Sequence, residues 1–119
     1  MEKNLFIPRE QAEQLNQLGF YEDCLGWYNI DELVYVPTKL DNLKGTYKSY
    51  VAPLYSQAFK FFREQFNFRY SIGATNICVY HIPVTNYHTT FMIQDCKSYE
   101  EVELECIKKF IEHAEQINN

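Results

Sequence analysis

The sequence predicts an α+β domain: an antiparallel sheet of three or more strands packed by two main helices, preceded by a short N-terminal helix. Three observations predict it. Residues 53–66 and 98–117 repeat apolar side chains at helical spacing. Residues 68–94 alternate apolar and polar, or run apolar in short pieces, with turn residues between them. The connections between those pieces are too short for crossovers, which makes the strand pairing antiparallel. The chain of 119 residues is the size of one domain. Residues 1–50 supply a helix, short strands and a loop, and residues 51–119 an α-β-β-β-α core.

Taken in order, Pro8 reads as the first residue of a helix, where its missing N–H costs nothing. Ala12, Leu15 and Leu18 lie on one side of that helix, and Gly19 is placed to end it in a left-handed conformation. Residues 24–28 (Cys-Leu-Gly-Trp-Tyr) and 33–36 (Leu-Val-Tyr-Val) read as short extended pieces, the second ended by Pro37. Thr38 to Tyr50 is polar and reads as a loop, one whose ordering the sequence leaves open.

Pro53 opens the second helix, which carries Tyr55, Phe59, Phe62 and Phe66 as one aromatic stripe. Phe68-Arg69-Tyr70-Ser71-Ile72 alternates as a half-buried strand does. Ile77 to Ile82 is apolar enough for a central strand, with Pro83 as its stop. Tyr87 to Gln94 alternates again. Ser98 and Glu101 form a capping box at the head of the last helix. Leu104, Ile107, Ile111 and Ala114 make its apolar stripe, widened by Cys106, Phe110 and Ile117.

Composition narrows the function classes. The formal net charge is −5, against a general nucleic-acid binder, which needs clustered cations for phosphate. The middle of the chain runs the other way. Residues 39–69 hold six cations against two acids, +4, and form a basic segment that an anionic partner would meet. Aromatics reach 17% through ten Tyr, nine Phe and one Trp, suited both to a core and to a contact face.

The four cysteines, Cys24, Cys78, Cys96 and Cys106, contain no C-x-x-C pair and no zinc-finger spacing. The opening Met1-Glu2-Lys3-Asn4 lacks an apolar stretch of signal-peptide length, and no stretch approaches transmembrane length. Reduced thiols, a cytoplasmic location and no membrane contact are therefore expected.

Catalytic and metal chemistry find little support in the residues. His81 and His88 flank a turn between strands, with Cys78 or Cys96 near in sequence, but a metal site needs three or four ligands in set geometry. A cysteine nucleophile would need an orienting acid beside its histidine, and none is indicated. The glycines are isolated, so no phosphate-cradling loop forms. The expectation is a non-enzyme without cofactor or metal.

The outer strand face is the better candidate. If Phe68, Tyr70 and Ile72 face inward, then Arg69 and Ser71 face out, joined by Tyr80 or His81 and by His88, Thr90 and Met92. That face is either open to a partner or a second copy, or covered by residues 20–37. The expected contact residues are Trp27, Tyr28, Arg69, Tyr80, His88 and Met92. The expected function is that of a small interaction protein binding another protein or itself. The alternative is nucleic-acid or nucleotide binding through the basic 39–69 segment and exposed aromatics such as Trp27 and Tyr28.

Two resemblances add to this reading. The helix–three strands–helix order over 53–117 is similar to that of double-stranded RNA-binding domains. Those domains place lysines at the start of the last helix, where this chain has Ser98, Tyr99, Glu100 and Glu101; acids there repel RNA. Residues 7–20 with 24–26, 52–64 (Ala-Pro-Leu-Tyr-Ser-Gln-Ala-Phe-Lys-Phe-Phe-Arg-Glu) and 99–109 resemble small uncharacterised proteins of gut Bacteroidetes and their phages. That resemblance implies a phage or prophage accessory protein, and it carries no activity or site residues.

Overall fold

The computed structural model describes residues 5–20, 22, 24, 26–29, 32–34, 49–84 and 87–118. The chain is α+β, with the element order α1 (Arg9–Gln17), β1 (Gly26–Asn29), β2 (Glu32–Val34), β3 (Ser49–Ala52), α2 (Tyr55–Phe66), β4 (Arg69–Ile72), β5 (Cys78–Val84), β6 (Tyr87–Ile93) and α3 (Tyr99–Asn118). It divides into two compact units, residues 1–58 and 59–119, with the boundary inside α2.

In the first unit β1 is the central strand of an antiparallel sheet ordered β2-β1-β3. Trp27 stands opposite both Val34 and Val51 in the backbone register. Ser49 and Tyr50, expected in a loop, belong to β3, because pairing with β1 supplies ladder bonds that a local reading does not anticipate. Residues 38–48 lie outside the described residues. The chain start adds to this sheet end: Phe6 bridges Leu54, and the Ile7 amide donates to the Pro53 carbonyl at 2.8 Å.

Helix α1 places Ala12 and Leu15 in the core, with Phe6, Ile7, Phe20 and Val51. Pro8 is its N-cap rather than its first helical residue, since its ψ of 155° is extended. Its carbonyl accepts the Ala12 amide at 2.8 Å. The helix ends as expected at Gly19, whose φ is +104°. The Phe20 amide donates to the Leu15 carbonyl and the Gly19 amide to that of Asn16, at 3.0 and 3.1 Å, a Schellman closure. Phe20 and Leu15, the two residues it joins, are both fully buried.

Helix α2 begins at Tyr55, two residues after Pro53. The Gln57 side-chain oxygen accepts the Leu54 amide at 2.9 Å, half of a capping box without its usual Ser or Thr. At the other end Asn67 takes φ 59°, a conformation asparagine tolerates better than most residues.

In the second unit the strands form an antiparallel meander ordered β4-β5-β6. Tyr70 stands opposite Tyr80, and Tyr80 opposite Phe91. Pro83 does not stop β5, which runs on to Val84. The β4 pairing reaches only as far as Arg69↔His81, whereas β6 pairs onward through Pro83↔His88. A proline fits a strand where its nitrogen faces no partner, and beyond His81 the β4 side of β5 offers that.

Phe110 of α3 gathers this unit. Its ring lies 5.2 Å from Phe68, 5.3 Å from Phe62, 5.7 Å from Tyr80 and 6.1 Å from Phe59. Phe59 stacks on Tyr70 at 4.0 Å. Phe59 and Phe62 of the α2 aromatic stripe are thus core, as their spacing indicates, whereas Tyr55 and Phe66 at its ends are half-buried. On α3 the buried positions are Val102, Cys106, Ile107, Phe110, Ile111 and Ala114. Leu104 is half-buried and Ile117 is exposed, so the buried stripe is centred nearer to 106 and 110 than expected.

The capping box at α3 forms with one change. The Glu101 amide donates to Ser98 Oγ at 3.1 Å, but the Glu101 carboxylate accepts from the Lys97 amide, 2.8 Å, one residue before the cap.

Candidate functional site

The β4–β6 sheet has two chemically different faces. Strand alternation sends Tyr70, Cys78, Tyr80 and Phe91 toward α3, and Arg69, Ser71, Val79, His81, Thr90 and Met92 to the opposite side. On that helix-free side Arg69, Ser71, Thr90 and Met92 are exposed, and Val79 and His81 are half-buried. Met92 is 61% exposed, the largest value among the exposed large apolar side chains of the described residues. His81 Nδ1 and Thr90 Oγ1 lie 2.9 Å apart across the β5–β6 ladder, joining two side chains of this face. The Arg69 guanidinium donates to the Asn67 side-chain oxygen at 3.1 Å, which holds it beside the strand end.

The expected contact residues therefore separate. Arg69 and Met92 share the helix-free face. Tyr80 does not: it is 3% exposed, stacked on Phe91 at 5.1 Å and packed edge-on against Phe110. Its position is taken by His81. Burial pushes the Tyr80 hydroxyl up to about 12, with smaller contributions from Cys106, Glu112 and Cys78. Tyr28 is buried in the first unit, where its hydroxyl donates to the Ile7 carbonyl at 2.6 Å, so its ring offers no stacking platform. Trp27 and His88 are placed by backbone register alone, in β1 and in β6 opposite Pro83.

The nucleophile candidates do not converge on an acid. Cys78 and Cys106 are both fully buried, and their thiols hydrogen-bond each other. That bond, followed by burial, pushes the Cys106 thiol far up, so it stays protonated. Cys96 is half-buried and also raised, by desolvation first and then by Glu101, Glu105 and Asp95. The Cys106 hydrogen bond lowers the Cys78 thiol against the push of burial, but full burial keeps it from any substrate, and the raised Cys96 thiol is a poor nucleophile at neutral pH. Among the described residues no three of His, Cys, Asp and Glu gather as metal ligands would.

The start of α3 is acidic at its surface, with Glu100 and Glu101 exposed beside Tyr99. Desolvation, followed by the neighbouring Glu100, pushes the Glu103 carboxyl above the usual range. No helix among the described residues is long and apolar enough to cross a membrane.

No family model, curated protein or solved structure matches the chain. Its functional reading therefore rests on its own surfaces. The sequence reading missed the burial of Tyr80 and Tyr28. The signal for Tyr80 is the register Tyr70↔Tyr80↔Phe91, which puts it on the face of the apolar residues and leaves its polar neighbour His81 opposite Arg69 and Thr90.

Proposed function

We propose that this chain is a small non-enzymatic protein-binding module that uses the helix-free face of the β4–β6 sheet as its contact surface. The observation that carries this is Met92, 61% exposed in mid-strand and flanked on the same face by Thr90, His81 and Arg69. Methionine is flexible and polarisable, and it is used repeatedly where a surface must fit a partner. Among the described residues of this face Arg69 is the one fixed charge. A partner presenting a carboxylate beside an apolar patch complements it. An accessory role in a phage or prophage, as the sequence resemblance implies, is part of this proposal.

The test is capture of proteins from a host lysate by the immobilised chain, run alongside Met92→Glu and Arg69→Glu. The reading requires a band that the wild type retains and both variants lose while their circular dichroism stays unchanged. Light scattering of the purified chain distinguishes a second copy as the partner. A band retained equally by all three proteins would place the contact elsewhere.

A further inference from the structure

A cavity of about 570 Å³ lies within the second unit, between the end of α2, the end of β5 and the last turns of α3. That volume falls in the range of small-molecule sites. Phe66, Ile82, Pro83 and Ile117 supply its apolar wall, and Gln65, Gln116 and His113 its polar groups. None of the lining residues carries a fixed charge. The His113 ring is held 4.9 Å from Phe91 and 6.0 Å from Tyr80, so its orientation is set from behind by two aromatic rings.

The chemistry of the lining selects its ligand. A primary amide donates and accepts at once, and two such groups beside an imidazole match a carboxamide or ring-nitrogen edge. Phe66 and the imidazole offer ring faces, and the aliphatic side chains of Ile82 and Ile117 an apolar remainder. The wall offers a charged ligand no opposite charge, whereas the two amides and the imidazole hydrogen-bond a neutral one. Desolvation holds His113 below its ordinary value of 6.5, against an opposing pull from Glu112 and with a further push from Lys109, so at neutral pH it is an uncharged donor and acceptor.

We propose that this cavity binds a small, neutral, planar molecule, an aromatic carboxamide or nitrogen heterocycle, through Gln65, Gln116 and His113. The site uses none of Arg69, His81, Thr90 and Met92 and stands whether or not their face binds a protein.

Three probes of one shape and three charges test it: benzamide, benzoate and benzamidinium, titrated into the full chain and followed by the His113 ring and Ile117 methyl NMR signals. Benzamide should shift both signals saturably at millimolar concentration, about the affinity open to a molecule of its size. Benzoate and benzamidinium should bind at least about tenfold more weakly. Ile117 is 54% exposed, so Ile117→Glu leaves the core intact while placing a carboxylate at the cavity wall. That variant should weaken benzamide and reverse the order in favour of benzamidinium. Absence of a saturable shift, equal binding of all three probes, or an unchanged order in Ile117→Glu would each overturn the assignment.

Discussion

Tyr28 of β1 donates its hydroxyl to the Ile7 carbonyl at 2.6 Å, joining two residues 21 positions apart inside the first unit. Ile7 is itself fully buried, so this carbonyl has little access to water. Tyr28→Phe keeps the ring and removes the donor. It should lower the urea-unfolding free energy by about 1–3 kcal/mol, the cost of stranding a buried acceptor. A change below about 0.5 kcal/mol, the scale of a neutral surface substitution, would mean that the carbonyl finds another donor.

Phe110 meets rings from α2, from Phe68 and Tyr70 at the start of β4, and from β5, so its loss empties the centre of the second unit. Phe110→Ala should destabilise by about 3–5 kcal/mol, and Phe110→Leu by clearly less, because a leucine refills part of the volume. Chemical denaturation followed by tyrosine fluorescence measures both.

The fold's pH response has two opposed contributions in the second unit. Glu103 has a raised carboxyl, from desolvation and then Glu100, so its contribution is fully present below the ordinary value of 4.5 and is lost as pH rises through the higher folded value. His113 is lowered, mainly by desolvation, so its contribution is present above 6.5 and is lost as pH falls through the folded value. Glu103→Gln should therefore gain stability over wild type as pH climbs above 4.5, with the gain levelling once the wild-type carboxyl is ionised. Unfolding midpoints across pH 4 to 8 check the sign, a range set by the ordinary glutamate and histidine values.

Thiol labelling should order the cysteines by burial. Cys96 is half-buried, and Cys24, Cys78 and Cys106 are buried. A maleimide or disulfide reagent should modify Cys96 first in the native chain, slowly at pH 7, and faster as pH rises because its thiol is raised. Rapid labelling of Cys78 or Cys106 without unfolding would contradict the packing of β5 against α3.

Legibility followed locality. Gly19 and the Ser98–Glu101 box were readable because a helix end is decided by residues within one turn. The phenylalanine stripe of α2 was readable for the same reason. The β3 residues Ser49 and Tyr50 were not, since nothing near them states that β1 is their partner, 22 residues earlier at Tyr28↔Tyr50. The orientation of Tyr80 failed differently: an amphipathic tyrosine beside a histidine suits either face, and the contacts with Phe91 and Phe110 decide between them. The cavity escaped sequence reading because its lining comes from three elements far apart in the chain.

Pro83 closes a hazard that its own position creates. Past His81 one flank of β5 loses its strand partner, and an unpaired ladder position there is a template for strands of other molecules. A proline at that flank removes a donor such a stranger would need. Replacing it with valine should leave the chain folded yet make concentrated solutions turn cloudy sooner, a solubility function carried by one ring.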